Sequence, residues 1–233
     1  MYVDKQPEWH TPHGDSLPYE IERTVPVAEE VCVALDCEMV GVGSRMCSVL
    51  ARVSIIDFEG KPIFDTFVRV EEKVTDYRTF VSGVRPQDLE SPDAMDFGEC
   101  RWKVQRLLAG KLLVGHALEN DLKVLCLNHP WEQIRDTSNF APFMKSHYST
   151  GALQPRRLRD LSLSLLGKKI QLDEHDSLED ARAAMDLYKL VKTDWDYTVE
   201  YWHRQSNLSP VPLFHQYQDH GPSRSYPKRP WHY

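Results

Sequence analysis

The sequence predicts an α/β fold whose mixed sheet begins with three antiparallel strands and is flanked by helices. Three short apolar runs rich in β-branched residues open the pattern, at 31–40, 49–57 and 62–70. Amphipathic stretches with helix start and stop signals then alternate with a further apolar run at 111–115. This order of elements is typical of a sheet covered by helices.

The opening strands are expected to be antiparallel because the second and third are joined by a short turn. That turn is Phe58-Glu59-Gly60-Lys61, and a turn of this length containing glycine predicts a hairpin. The run at 111–115 predicts a fourth strand, and 133–135 is a candidate fifth.

Four helices are predicted from their end signals. Ser91-Pro92-Asp93 predicts a helix start, and Gly110 predicts its end. The other three are expected at 117–127, at 158–166 before Gly167, and from 177 to about 195.

The two ends of the chain differ from the middle. Prolines among polar residues predict an N-terminal arm at 1–27 and a disordered, Pro-rich tail at 197–233. The interpretation is one domain at 28–196.

Composition excludes several classes of protein. The chain has 233 residues, with 28 Lys and Arg against 35 Asp and Glu, and its net charge of −7 argues against a purely electrostatic nucleic-acid coat. No run approaches the roughly 20 apolar residues of a membrane helix. Five cysteines without a C-x-x-C pair indicate neither a zinc knot nor a disulfide framework, and favour a reduced intracellular compartment.

Asp36 and Glu38 form the first candidate site. Strand geometry places both side chains on one face, where two carboxylates repel each other unless a cation or a shared proton compensates. A glycosidase pair is excluded because one strand cannot flank a scissile bond from two sides. A solvated strand end remains open, and Mg²⁺ or Mn²⁺ binding explains the pair best.

Two more acids follow at element boundaries. Asp121 comes one turn into the helix after His116, which we interpret as a structural hydrogen-bonding residue; a solvated edge of the helix is the alternative for Asp121. Asp180 follows His175 by five residues and Ser177 by three. Because Ser177 and Asp180 have capping-box spacing, an ordinary helix start is the alternative there.

Taken together, these motifs resemble the DEDDh 3′–5′ exonucleases of the ribonuclease H-like superfamily. The similarity rests on Asp36-x-Glu38, on Asp121, and on His175-x-x-x-x-Asp180, in that order. The surrounding segments are similar to the eukaryotic RNA exonuclease branch. Residues 134–137 and the approach to His175 are most similar to its members in ribosome biogenesis.

The resemblance implies a two-metal phosphodiester hydrolase that releases nucleoside 5′-monophosphates from single-stranded RNA 3′ ends. Asp36, Glu38, Asp121 and Asp180 would hold two Mg²⁺ or Mn²⁺ ions, with His175 as the general base. The implied substrate contacts are Met39, Arg78 and Leu118, and the implied setting is ribosomal RNA processing in the nucleus or nucleolus, with the cytoplasm as an alternative.

A basic stretch offers further phosphate contacts. Between 145 and 169 six Lys and Arg face a single Asp, a net charge of 6 − 1 = +5, and at least half of these side chains are expected to be merely solvated. Two other functions stay open: a single-stranded DNA 3′ exonuclease with the same site, and a non-catalytic nucleic-acid-binding module.

Overall fold

The computed structural model describes residues 27–208, without the side chains of 205–208. Six strands form one sheet: β1 (Cys32–Val42), β2 (Cys47–Asp57), β3 (Pro62–Phe67), β4 (Val74–Asp76), β5 (Leu112–Gly115) and β6 (Ile134–Asp136). Their order is β3-β2-β1-β5-β6, and β4 pairs with the far end of β1. The helices are α1 (Thr79–Ser82), α2 (Pro86–Glu90), α3 (Phe97–Leu108), α4 (Leu118–Val124), α5 (Leu158–Leu161) and α6 (Ser177–Leu208). A small hairpin is formed by β7 (Lys145–Ser146) and β8 (Leu153–Gln154).

Strand β1 lies at the centre of the fold and separates two apolar layers. Its side chains alternate, so that Cys32 and Ala34 pack under α6 while Val33 and Leu35 pack under α3 and α4. It pairs antiparallel with β2 and parallel with β5, which makes the sheet mixed. The predicted mixed α/β fold with an antiparallel start and flanking helices is therefore confirmed.

The helix predicted from Ser91 begins later than expected. Asp96 is its N-cap, because the Asp96 side chain accepts hydrogen bonds from the backbone N–H groups of Gly98 and Glu99. Ser91 instead ends α2, and its carbonyl accepts the N–H of Ala94 in a turn. The predicted start was wrong because two good start signals stand five residues apart and only one is used.

The C-terminal half also departs from expectation. The helix expected at 158–166 consists of α5 followed by a π-helical turn over Ser162–Leu166, and Gly167 ends it as predicted. Helix α6 continues to Leu208, so residues 197–208 of the expected tail are helical. The rest of that tail and residues 1–26 of the predicted arm lie outside the described residues.

A buried charge network fastens α6 to the sheet. The Arg135 guanidinium donates to Asp196 Oδ1 at 2.8 Å, and the Tyr188 hydroxyl donates to Asp196 Oδ2 at 2.7 Å. Lys192 bonds both Asp196 Oδ2 and the backbone carbonyl of Val27. These contacts hold α6 in the position that presents its N-terminal turn to the end of β1.

Two expectations from composition can be compared with this structure. All five cysteines are free. In the described part of the chain, no helix combines the length and the apolar character needed to cross a membrane.

Candidate active site

A cleft lies where β1 meets α1, α5 and the start of α6. It brings together residues that are distant in sequence: Asp36, Glu38, Met39, Arg78, His116, Arg157, Arg159, Gln171, His175 and Asp180 are among those that line it. Three of the four predicted acids, Asp36, Glu38 and Asp180, therefore line one cleft together with His175. Asp121 lies directly behind this cleft.

Asp36 and Glu38 occupy the floor of this cleft. As predicted, both point to the same face of β1, and Glu38 is only 5% exposed. A β-bulge between Glu38 and Met39 shifts the register with β2 and interrupts the alternation of side chains. Met39 lines the cleft together with Cys37, and it also packs against the apolar layer on the opposite side of the sheet.

Asp121 is held from behind the strand. The backbone N–H of Cys37, between the two β1 acids, donates to Asp121 Oδ1 at 3.0 Å. Asp136 accepts the backbone N–H groups of Ala117 and Leu118 at the start of α4, which orients the helix that carries Asp121. Asp121 is 4% exposed, so the alternative of a solvated helix edge is wrong.

The capping-box interpretation of Asp180 is also wrong. Asp176 caps α6, because its side chain accepts the N–H of Leu178 at 3.0 Å, while the Ser177 hydroxyl lies 2.6 Å from that of Ser54 on β2. Asp180 therefore does not cap the helix, and its side chain faces the cleft. Its Oδ2 accepts the side-chain amide of Gln171 at 2.7 Å, with His175 Nδ1 at 3.6 Å.

The loop before α6 is anchored around His175. The His175 N–H donates to the carbonyl of Val81 on α1 at 2.8 Å, and Arg85 pairs with Glu174 at 2.7 Å. Gly83 makes this contact possible, since a Cβ on it would lie 3.1 Å from the His175 carbonyl. The His175 ring remains about one-third exposed at the cleft surface.

The electrostatics of the site are dominated by buried carboxylates that nearby cations do not fully compensate. Burial, followed by the charge of Asp180, raises the pKa of Glu38 to about 8, and burial raises the pKa values of Asp121 and Asp180 to about 7. Burial and then the neighbouring acids raise the pKa of Asp36 well above its usual range. The nearest compensating group on the sheet is Arg52, which lies opposite Glu38 on β2.

These carboxylates fit divalent cations. Glu38 Oε1 and Asp180 Oδ1 are buried without any hydrogen-bond partner, which is costly unless a cation takes the place of the partner. Across residues 27–208, no group of three or more His, Cys, Asp or Glu side chains is arranged so that it could hold a metal ion. An open set is what Mg²⁺ generally uses, because it keeps waters and adds substrate phosphates to one or two carboxylates.

His116 has the structural role that was predicted for it. Its Nδ1 lies 2.9 Å from the Thr137 hydroxyl, and burial lowers the pKa of the ring. Of the implied substrate contacts, Met39 and Arg78 line the cleft, but Leu118 does not. Leu118 is 1% exposed and packs beneath Gly115.

Arg78 is partly committed to other contacts. Its guanidinium donates to the carbonyl of Met46 and to the Ser48 hydroxyl, which tie it to the turn between β1 and β2. In the basic stretch, Arg157 and Arg159 line the cleft. Lys168 instead pairs with Asp186 on α6, consistent with only part of the stretch facing substrate.

Sequence reasoning missed Gln171, Arg157 and Arg159 as individual cleft residues. No motif marks Gln171, whose backbone has a φ of +54° in an irregular loop. The two arginines had a signal in the local charge, but charge alone does not tell which side chains face the cleft.

Comparison with known proteins places this geometry in a family. Residues 33–188 match the RNase_T family of exonucleases. The chain is 49% identical over 170 residues to RNA exonuclease 4 of Mycosarcoma maydis, covering 70% of this chain and 43% of that protein. It is also 49% identical to the human RNA exonuclease 4 over 165 residues, covering 70% and 38%. The chain thus spans about two fifths of the length of these curated relatives.

Solved structures show the same fold. The Neurospora crassa Pan2 catalytic unit aligns with a TM-score of 0.62 at 25% identity, covering 84% of this chain and 32% of that one. The Saccharomyces cerevisiae Pan2 module in complex with AAGGAA RNA aligns with a TM-score of 0.62 at 32% identity, covering 76% and 32%.

Proposed function

This chain belongs to the RNase_T exonuclease family, and from that premise we propose that it is a divalent-metal-dependent 3′→5′ exoribonuclease. The observation that carries the proposal is the convergence of Asp36, Glu38 and Asp180 on one cleft with His175, while Asp121 lies directly behind it. Glu38 and Asp180 each have one buried oxygen without a hydrogen-bond partner. A non-catalytic binding module would have no use for so costly a cluster.

Asp36, Glu38, Asp121 and Asp180 would hold two Mg²⁺ or Mn²⁺ ions. Such ions would supply charge neutralisation at the scissile phosphate and a lowered pKa for the attacking water. The chain itself fixes two of these carboxylates: the Cys37 N–H donates to Asp121, and the Gln171 amide donates to Asp180.

His175 is the proposed general base. Water would attack the phosphorus, and His175 would accept the proton of the water. The bond to the 3′ oxygen would break with its electron pair on that oxygen, which would take a proton from solvent. Burial and the charge of Arg159 lower the pKa of the ring, so it is neutral and able to accept a proton at physiological pH. The peptide anchored to Val81 keeps the base over the cleft.

The substrate end would be held by the rim of the cleft. Met39 offers an apolar contact to the terminal nucleoside, and Arg78, Arg157 and Arg159 offer cations to the phosphates. Similarity to RNA exonuclease 4 makes RNA the polymer to propose. The sequence resembles the ribosome-biogenesis branch. Ribosomal RNA precursors are therefore the substrate to test first, and the nucleus is the compartment to test first.

The test uses matched RNA and DNA oligonucleotides with either a free or a phosphorylated 3′ end. We expect nucleoside 5′-monophosphates, identified by chromatography, from the free 3′ ends of RNA and far fewer from 3′-phosphorylated RNA. Preferential digestion of DNA would make the chain a DNA 3′ exonuclease. Binding of RNA without any nucleotide release would instead favour the non-catalytic module.

A further inference from the structure

Gln171 has an unfavourable backbone conformation beside the proposed metal site. It lies in the loop before α6 and lines the cleft, and its φ of +54° is in the left-handed region that side-chain-bearing residues rarely adopt. Its backbone N–H donates to Glu179 Oε2 at 3.0 Å, which holds this conformation. The cost of such a conformation is tolerated where surrounding contacts determine it, and these are often functional sites.

The side chain of Gln171 makes one specific contact. Its Nε2 donates to Asp180 Oδ2 at 2.7 Å, a short bond between a neutral donor and a carboxylate. Because an ionised carboxylate can only accept, the amide nitrogen must face Asp180 and the amide oxygen must point elsewhere.

Because of this hydrogen bond, the two carboxylate oxygens of Asp180 differ in their partners. Oδ2 is occupied by Gln171, and Oδ1 is buried without a partner. His175 Nδ1 is 3.6 Å from Oδ2, too far for a hydrogen bond, so Gln171 is the side chain that holds this oxygen.

We infer that Gln171 is a positioning residue that fixes the rotation of the Asp180 carboxylate and directs Oδ1 to the cation. The inference rests on the proposed function, since it requires Asp180 to be a metal ligand. Hydrogen-bond partners of metal ligands typically contribute 10- to 100-fold to metal affinity, so roughly that loss is expected when the amide is removed.

Two variants remove the amide in different ways. Gln171→Met keeps the length of the side chain without the donor, and Gln171→Gly removes the side chain while suiting the positive φ. If Gln171 served only the backbone, Gln171→Gly would be as good as wild type. Gln154→Met on the exposed strand β8 is the matched control.

The measurement is Mn²⁺ affinity by electron paramagnetic resonance of the free ion, with thermal unfolding of the metal-free protein as the folding control. We expect both Gln171 variants to weaken Mn²⁺ binding roughly 10- to 100-fold, and Gln154→Met to leave it unchanged. Turnover of the Gln171 variants should recover as Mn²⁺ is raised, which loss of an RNA contact would not allow.

The variant Asp180→Asn distinguishes a failure of the positioning role of Gln171 from a failure of the proposed metal site. If Asp180→Asn loses Mn²⁺ binding while Gln171→Gly keeps wild-type affinity, the positioning role is overturned and the metal site stands. If Asp180→Asn also binds Mn²⁺ as wild type does, the proposed site itself is wrong.

Discussion

Replacing Glu38 with Gln should change how the stability of the metal-free protein depends on pH. The pKa of Glu38 rises from 4.5 to about 8 in the folded state, chiefly through burial. The folded protein therefore holds this proton more tightly than the unfolded chain does. The resulting stability is fully present below pH 4.5 and is lost as the pH rises towards 8.

The size of the effect follows from these two pKa values. Between pH 6 and pH 8 the ionisation of Glu38 should cost the metal-free wild type about 2 kcal/mol of unfolding free energy relative to Glu38→Gln. For a domain of this size that corresponds to a relative fall in melting temperature of roughly 4 to 8 °C. Any pH-independent cost of the buried amide cancels, because only the change between the two pH values is compared.

The assay is thermal unfolding of both proteins at pH 6 and pH 8, first in EDTA and then with excess Mg²⁺. We expect Mg²⁺ to stabilise the wild type at pH 8, where protons compete least with Mg²⁺ for the carboxylates. Mg²⁺ should stabilise Glu38→Gln much less. Parallel pH responses of the two metal-free proteins would refute the burial argument for Glu38.

Three further predictions concern separate parts of the molecule. His175→Ala should lower turnover roughly 10²- to 10⁴-fold while Mn²⁺ affinity stays within the error of the wild type; an active variant would rule out the proposed base. Arg159→Ala should weaken RNA binding and reduce the salt slope of the binding constant by about 1, whereas Lys168→Ala, which removes a lysine paired with α6, should leave the slope unchanged. Asp196→Ala should lower the free energy of unfolding in urea by about 3 to 5 kcal/mol, because it leaves the Arg135 charge buried without its partner. Asp194 is exposed, so an equal loss in Asp194→Ala would contradict that explanation.

The parts of the fold that the sequence predicted are those fixed by short-range patterns. The opening hairpin follows from alternating apolar residues and a glycine-containing turn, and the structure shows β2 and β3 joined there. Elements decided by competition between local signals were misplaced, as at α3, where Asp96 rather than Ser91 caps the helix. The length of α6 was missed because the prolines from Pro210 onwards assigned the whole of 197–233 to the predicted tail. The helix continues past Trp195, and Val199 packs against the core there.

The candidate site shows the same division. The sequence predicted the four acids and His175 as a site because their order and spacing resemble the exonuclease motifs, although each acid taken alone had an ordinary structural alternative. It could not show that Met39 lines the cleft, because strand alternation alone places Met39 on the face opposite Glu38. It equally could not place Gln171 against Asp180, because that contact depends on how the loop before α6 packs in three dimensions.

The most direct test of the account follows a 5′-labelled RNA oligonucleotide incubated with wild type and with Asp36→Asn, in Mg²⁺ and in EDTA. The account predicts a ladder shortening by one nucleotide at a time from the 3′ end, with wild type in Mg²⁺, and no shortening in EDTA or with Asp36→Asn. A ladder that persists in EDTA, or one that Asp36→Asn produces at the wild-type rate, would contradict the central claim that this acid cluster performs metal-dependent exonucleolytic hydrolysis.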